Sequence, residues 1–455
     1  MTNKIGVKSI VSFFTQGNKR TLRAKKNISI SFICKGITIL ISFLIVPLTL
    51  GYVGKVEYGI WMTISSIISW FSFFDIGLGN GLRNKLAEAL AKDDKETAKI
   101  YISSTFALIA VIATLMFIGF FIAANYISWN TALNTNVVAN NELFKIVVTV
   151  FFFFCIGFIM KVLSSILQAM QKYAINDILG VIAQALGLAA IFILVKTTDG
   201  SLFNLCLVYG SKTAIVLFIA SIFLFSGSLK EFRPRISYIN LKRAIPLLNL
   251  GIWFFINQIL YLIVTQTSVI LVVQFFGPED VTVYNLALRY MTIVSMLYIM
   301  VLTPFLSAFT EAFTKKEFGW IESTIKKINI IWLISSFGTI VLVFIYKLFF
   351  NFWVGDKITI PLSLIITLGI SSILTTWSST FTLFLNGIGK IKLQLVIQLI
   401  QAILFFPLSF LFYKLQFGLS SLVIPIIIFA IIGSLIFTIQ YKKIITQSAS
   451  GIWNR

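Results

Sequence analysis

The chain has 455 residues, of which 58% are hydrophobic and only 12% charged, and its mean hydropathy is +0.95. That excludes a water-soluble globule, whose surface needs about twice as many charges. The balance of 37 Lys and Arg against 16 Asp and Glu (net +21) would suggest nucleic acid in a soluble protein. Here it indicates basic loops sorted to one side of a membrane, and no nucleic-acid partner.

A helix needs about 20 mainly apolar residues to cross the hydrocarbon core. Twelve segments meet that demand, at 28–50, 58–78, 101–123, 144–167, 178–195, 203–225, 247–273, 283–305, 328–350, 361–385, 393–413 and 419–441. Membrane β-strands are half as long and alternate in polarity, so the reading is an all-α polytopic membrane protein. A basic arm, 1–27, precedes the first span. That span is too long for a signal h-region and is expected to remain as a transmembrane helix. The absence of His excludes imidazole acid–base and metal chemistry. Cys34, Cys155 and Cys206 fall inside apolar runs and read as buried structural thiols.

Placing both termini in the cytoplasm puts almost every loop Lys and Arg on the inner side. The outer loops then hold only Lys55, Lys145, Lys196, Lys357 and Lys414. The longest outer connection, about 124–142, is too short to house an enzyme's catalytic domain. A shift of 223 residues overlays Gly54 on Gly277, Glu88-Ala89 on Glu311-Ala312, Lys92 on Lys315 and Lys35 on Gln258. The chain therefore reads as a duplicated six-span bundle, 28–225 and 247–441, with a cytoplasmic linker at 226–246 and a tail at 442–455. An even number of spans per half makes this a parallel repeat, the architecture of alternating-access transporters.

Ionisable residues inside spans are costly and usually face a cavity or a partner. Helical spacing groups Lys35 with Ser31, Thr38 and Ser42, and Arg289 with Asn285 and Thr292. It groups Lys161 with Gly157, Ser164 and Gln168, and sets Lys212 beside Ser211 and Thr213. The polar face of the seventh span adds Gln258, Tyr261, Thr265 and Ser268. Lys35, Arg289, Lys212 and Lys161 are the candidate substrate-binding cations, with Thr38, Ser42, Asn285, Thr292, Gln258 and Tyr261 as polar lining. Snorkelling to the head groups is the competing reading for each cation, and the favoured one for Lys347. Asp75, at the end of the second span, is a candidate for pairing with Arg83, capping the helix, gating or ion coupling. Pro47 and Pro304 are candidate helix kinks. Trp129 and Trp353 suit the outer interface and Trp320 the inner one. A cationic lumen points to an anionic cargo; a lipid-linked pyrophosphate has the right sign.

The run Phe74-Asp75-Ile76-Gly77-Leu78-Gly79-Asn80-Gly81-Leu82-Arg83-Asn84-Lys85-Leu86, followed by Ala87-Glu88-Ala89, resembles the segment after the second helix of Wzx-type oligosaccharide flippases. The stretch Val46-Pro47-Leu48-Thr49, then Gly51-Tyr52-Val53-Gly54 and Tyr58-Gly59-Ile60-Trp61, is similar to their first outer turn. The resemblance is strongest over 28–105. It implies a MATE-like pair of bundles within the multidrug/oligosaccharidyl-lipid/polysaccharide exporter superfamily. It also implies a non-enzymatic flippase of the plasma (inner) membrane. Such a protein moves undecaprenyl-pyrophosphate-linked repeat units to the outer leaflet for O-antigen, lipopolysaccharide or another surface polysaccharide. No cofactor is implied beyond a proton or sodium gradient. Glycosyltransferases and a glycan polymerase are the implied partners, besides membrane lipids. Two alternatives stay open: a drug or metabolite cation antiporter of the same superfamily, expected to carry acidic lumen residues, and a membrane-bound glycan polymerase or ligase.

Overall fold

Long apolar runs without interior charge satisfy their backbone polarity only by helix formation in lipid. The computed structural model describes residues 19–74, 77–244, 252–303, 305–355 and 358–454, and they bear this out. In chain order the principal helices are α1 (Lys19–Ser69), α2 (Leu78–Ala91), α3 (Lys95–Ala124), α4 (Asn140–Met160), α5 (Val162–Ala169), α6 (Tyr173–Thr197) and α7 (Leu202–Ser226). They continue with α8 (Ile252–Phe276), α9 (Pro278–Leu302), α10 (Phe305–Thr314), α11 (Phe318–Val354), α12 (Leu362–Gly387), α13 (Lys392–Lys414) and α14 (Ile424–Ile445). Eleven helices among the described residues are long and apolar enough to cross a membrane. One of them, Ile30–Ser72, is 43 residues long, about 65 Å at 1.5 Å per residue, and so carries the first two predicted spans. The twelve-span, all-α reading stands.

The duplication is visible in the backbone. Gly54 breaks α1 with φ 80°, ψ 177°. Gly277, its mate under the 223-residue shift, precedes α9 with φ 94°, ψ 172°. Both occupy a region open essentially to glycine alone. The loops after α2 and α10 match too. Asp93 (φ 56°) and Lys316 (φ 58°) share the left-handed turn, at the same offset. Before them, Glu88 pairs with Lys92 at 2.8 Å and Glu311 pairs with Lys315. Hydrogen bonds from Lys85 and Lys92 pull the Glu88 carboxyl down to about 2. Lys315 likewise lowers that of Glu311. Gly54→Ala and Gly277→Ala are each expected to lose about 1–3 kcal/mol of stability. Thermal unfolding in detergent reads this, and wild-type melting would refute the strain.

Contacts divide the chain into two units. Unit one comprises Met1–Gly54, Phe71–Asn130 and Asn136–Phe255; unit two comprises Lys55–Trp70, Thr131–Thr135 and Ile256–Arg455. In unit one, α4 and α7 approach closely where Gly157 faces Ala214 and Gly210 faces Val150, the small-residue packing common between membrane helices. Beside them Phe120 stacks on Phe151, and Phe71 meets Phe151 edge-on. Trp129, expected at an aromatic belt, is buried instead. Its indole N–H donates to the Ala124 carbonyl at 3.1 Å, satisfying the end of α3.

In unit two, hydroxyl and indole groups tie the helices together. Ser295 meets Ser372 at 2.7 Å, Ser378 meets Ser434 at 2.9 Å, and Trp332 donates to the Ile373 carbonyl at 3.1 Å. An aromatic core of Phe309, Phe381, Phe384 and Tyr441 closes one end.

The segment after α7 is held down along its length. Lys95 pairs with Glu231 at 3.2 Å, the Arg235 amide donates to Ser103 Oγ at 3.2 Å, and the Asn240 amide donates to Ser104 Oγ at 2.9 Å. It forms a strap across the end of α3. Pro304, Asp75 and residues 1–18 lie outside the described residues.

Candidate functional site

In unit one, helical geometry arranges the polar side chains of α1 in a stripe. Lys35, Thr38, Ser42 and Thr49 follow at offsets of three, seven and fourteen residues, within about 60° of one another around the axis. Lys35, at one end, is exposed. Asp177, in the first turns of α6, lies close enough to the neighbouring Cys34 to act on it electrostatically. A carboxylate therefore stands near the turn that carries Lys35. Thr38 donates to the Cys34 carbonyl and Ser42 to the Ile39 carbonyl, so both protons are held by their own helix.

The other end of the stripe reaches a buried polar cluster. Thr49 is fully buried, donates to the Ile45 carbonyl and lies 3.2 Å from the Tyr209 hydroxyl. The Lys212 ammonium sits over the face of Tyr209, 4.6 Å from the ring centroid, and donates to Gln184 Oε1 at 2.8 Å. Gly187, one turn along α6 from Gln184, leaves the path for this side chain. A Cβ there would stand 2.7 Å from Lys212 Cδ. An amide oxygen and a ring face help to hold the ammonium. Sequence spacing placed Lys212 beside Ser211 and Thr213; its partners instead come from one turn back on α7 and from α6. Gln184 and Tyr209 were missed, because only the rotation of neighbouring helices brings them together.

Lys161 lies at a one-residue break inside Asn140–Ala169, a stretch long and apolar enough to cross a membrane. α4 ends at Met160 and α5 begins at Val162. Lys161 is exposed and borders a small cavity, about 40 Å³, with Ser72, Gly79 and Ser165. Its expected neighbour Gly157 is taken up by helix contact with Ala214.

In unit two, Arg289 is half-buried on α9. The buried Tyr58, on the second part of α1, lies within its electrostatic reach. Asn285 donates to the Val281 carbonyl at 2.9 Å and Thr292 to the Arg289 carbonyl at 3.1 Å. Tyr261 is 66% exposed, whereas Ser268 on the same helix is buried. The Gln258 side chain and Asp75 lie outside the described residues. Lys347 is exposed on α11.

The residues of the two quoted motifs have structural duties. Tyr52 meets the Thr198 hydroxyl at 2.8 Å, Gly54 makes the turn, and Gly59 lies directly against the Pro278 carbonyl. Gly77 enters α2 with φ 76°, and Leu78, Leu82 and Leu86 bury one face of that helix.

Among proteins of known sequence, the "Putative O-antigen export protein" of Yersinia pseudotuberculosis is 24% identical over 374 residues, covering 78% of this chain and 81% of that protein. The "Putative O-antigen transporter" of Salmonella typhimurium is 22% identical over 391 residues, covering 83% and 87%. Among solved structures, the inward-facing conformation of a multidrug resistance MATE family transporter of the MOP superfamily matches with a TM-score of 0.68 at 15% identity, covering 93% of this chain and 96% of that one. An outward-facing structure of such a transporter matches at 0.66 and 14%, covering 96% and 98%. At these identities the structures establish a shared fold, MATE-like and all-helical. The family model described as "Polysaccharide biosynthesis protein" matches residues 24–310, from the first predicted span through the eighth, and the chain belongs to that family.

Proposed function

We propose that this multi-pass membrane protein exports polysaccharide repeat units, O-antigen or a similar surface glycan, while they are attached to undecaprenyl pyrophosphate. The observation that carries the reading is the family match through eight spans, in a chain whose apolar segments carry the cations Lys35, Lys161, Lys212, Arg289 and Lys347. The names of the Yersinia and Salmonella relatives, an O-antigen export protein and O-antigen transporters, support the cargo.

In this reading the polyprenyl chain stays in lipid while the pyrophosphate and sugars follow the cations. Lys35 receives the head group, and Lys212 and Arg289 hold it during passage. The halves 28–225 and 247–441 alternate access about the linker at 226–246, with both termini in the cytoplasm. The cargo leaves chemically unchanged, for a polymerase to use; glycosyltransferases supply it. A proton or sodium gradient supplies the direction, with Asp75 as the coupling candidate.

Deleting the gene is expected to abolish the surface glycan and to trap lipid-linked repeat units on the inner leaflet. Re-expression restores export. Normal surface glycan in the deletion strain would overturn the reading.

A further inference from the structure

The strap after α7 roofs a cavity of about 250 Å³ in unit one. Its walls are mainly apolar, with Phe106 from α3, Met160 from α4, and Phe218, Ile222 and Phe225 from α7, and two hydroxyls, Ser221 and Ser226, also line it. The strap closes one side with Pro234 and sets Arg233 at the rim. At about 30 Å³ per water, the space equals roughly eight waters. That is far too little for a glycan repeat unit and is suited to a stretch of alkyl chain. Phe218 and Ile222 are 49% and 53% exposed, so the cavity opens along an uncovered apolar face of a helix long and apolar enough to cross a membrane.

The strap's charge selects the occupant. Residues 226–244 carry Lys230, Arg233, Arg235, Lys242 and Arg243, against a single carboxylate, Glu231. Lys95 already pairs with that carboxylate. The backbone anchors on Ser103 and Ser104 fix the strap, so Arg233 is presented at the rim by a held segment. An occupant must place an apolar chain beneath a strap whose sequence carries a net charge of +4, and an anionic phospholipid is the membrane component that does both.

We infer that this cavity is a binding site for one anionic glycerophospholipid, with an acyl chain between α3, α4 and α7 and its phosphate on Arg233. The site is separate from the transported cargo and does not depend on its identity.

Purified full-length protein, delipidated and titrated with dioleoyl phosphatidylglycerol or dioleoyl phosphatidylethanolamine, tests this by native mass spectrometry. Wild type is expected to prefer phosphatidylglycerol about fivefold, the worth of one basic residue at a lipid head group. Arg233→Ala removes the preference, and Ile222→Trp, which fills the cavity, weakens both lipids. Millimolar inorganic phosphate leaves phosphatidylglycerol bound, because the chain is part of the ligand. Arg233 is exposed, so its variant is expected to melt with wild type when lipid-free. Equal binding of the two lipids by wild type, an unchanged preference in Arg233→Ala, or displacement by phosphate would each overturn the assignment.

Discussion

Arg289→Ala is expected to reduce repeat-unit export by about 10- to 100-fold while the protein still inserts and melts normally. A hydrogen bond to a charged group contributes about 1.5–3 kcal/mol, and the proposed function makes this guanidinium a donor to the cargo phosphate. Arg289→Lys keeps the charge and loses the planar fork that grips phosphate in two places, so it is expected to fall between the two. The measurement is surface glycan against accumulated lipid-linked units, at matched protein levels. Export at the wild-type rate in Arg289→Ala would remove phosphate recognition from this residue. It would leave family membership, which rests on the sequence match, untouched.

The second large effect concerns folding. A Cβ built on Gly59 would lie 1.7 Å from the carbonyl oxygen of Pro278, and 3.2 Å from Thr282 Oγ1. The obstacle is backbone, so no rotamer change relieves it. The same crossing is tied by Thr282 Oγ1 donating to the Lys55 carbonyl at 2.7 Å and by Lys55 pairing with Glu279 at 3.1 Å. Gly59→Ala must therefore push α9 away from the second part of α1. Its cost is expected to exceed the about 1–3 kcal/mol of an ordinary overpacked core. Gly119→Ala, where nothing lies within 4 Å, is the control and is expected to be neutral or better. Size-exclusion chromatography and thermal unfolding of both variants decide it; a Gly59→Ala protein that behaves like the control would refute the close crossing.

Much of the fold was legible because it rests on composition and spacing. Runs of apolar residues located the spans, and the shift that overlays Gly54 on Gly277 also predicted two identical turns. Contacts between distant segments were not legible. Lys212 announced itself as a cation in a span, but Gln184 and Tyr209 became its partners only through helix rotation and the space left by Gly187. Lys161 read as a charge near the inner end of an unbroken span because hydropathy does not register a one-residue break between two apolar helices. Trp129 read as a belt residue because burial against the end of the preceding helix has no local signature. The two resemblance motifs mark turns and crossings rather than ligand contacts, since the bends between the first spans tolerate few residue types.

The route of α1 bears on how the protein could have arisen. Its first part is counted with one unit and its second, from Lys55 to Trp70, with the other. The sequence repeat would put a joint between two copies near the strap, whereas the boundary recognised by packing falls after Gly54. Severing the polypeptide at the strap would thus leave the later fragment lacking a helix that its own interior requires. Two separately synthesised pieces would recover a native assembly only by complementation, never as independent folding entities.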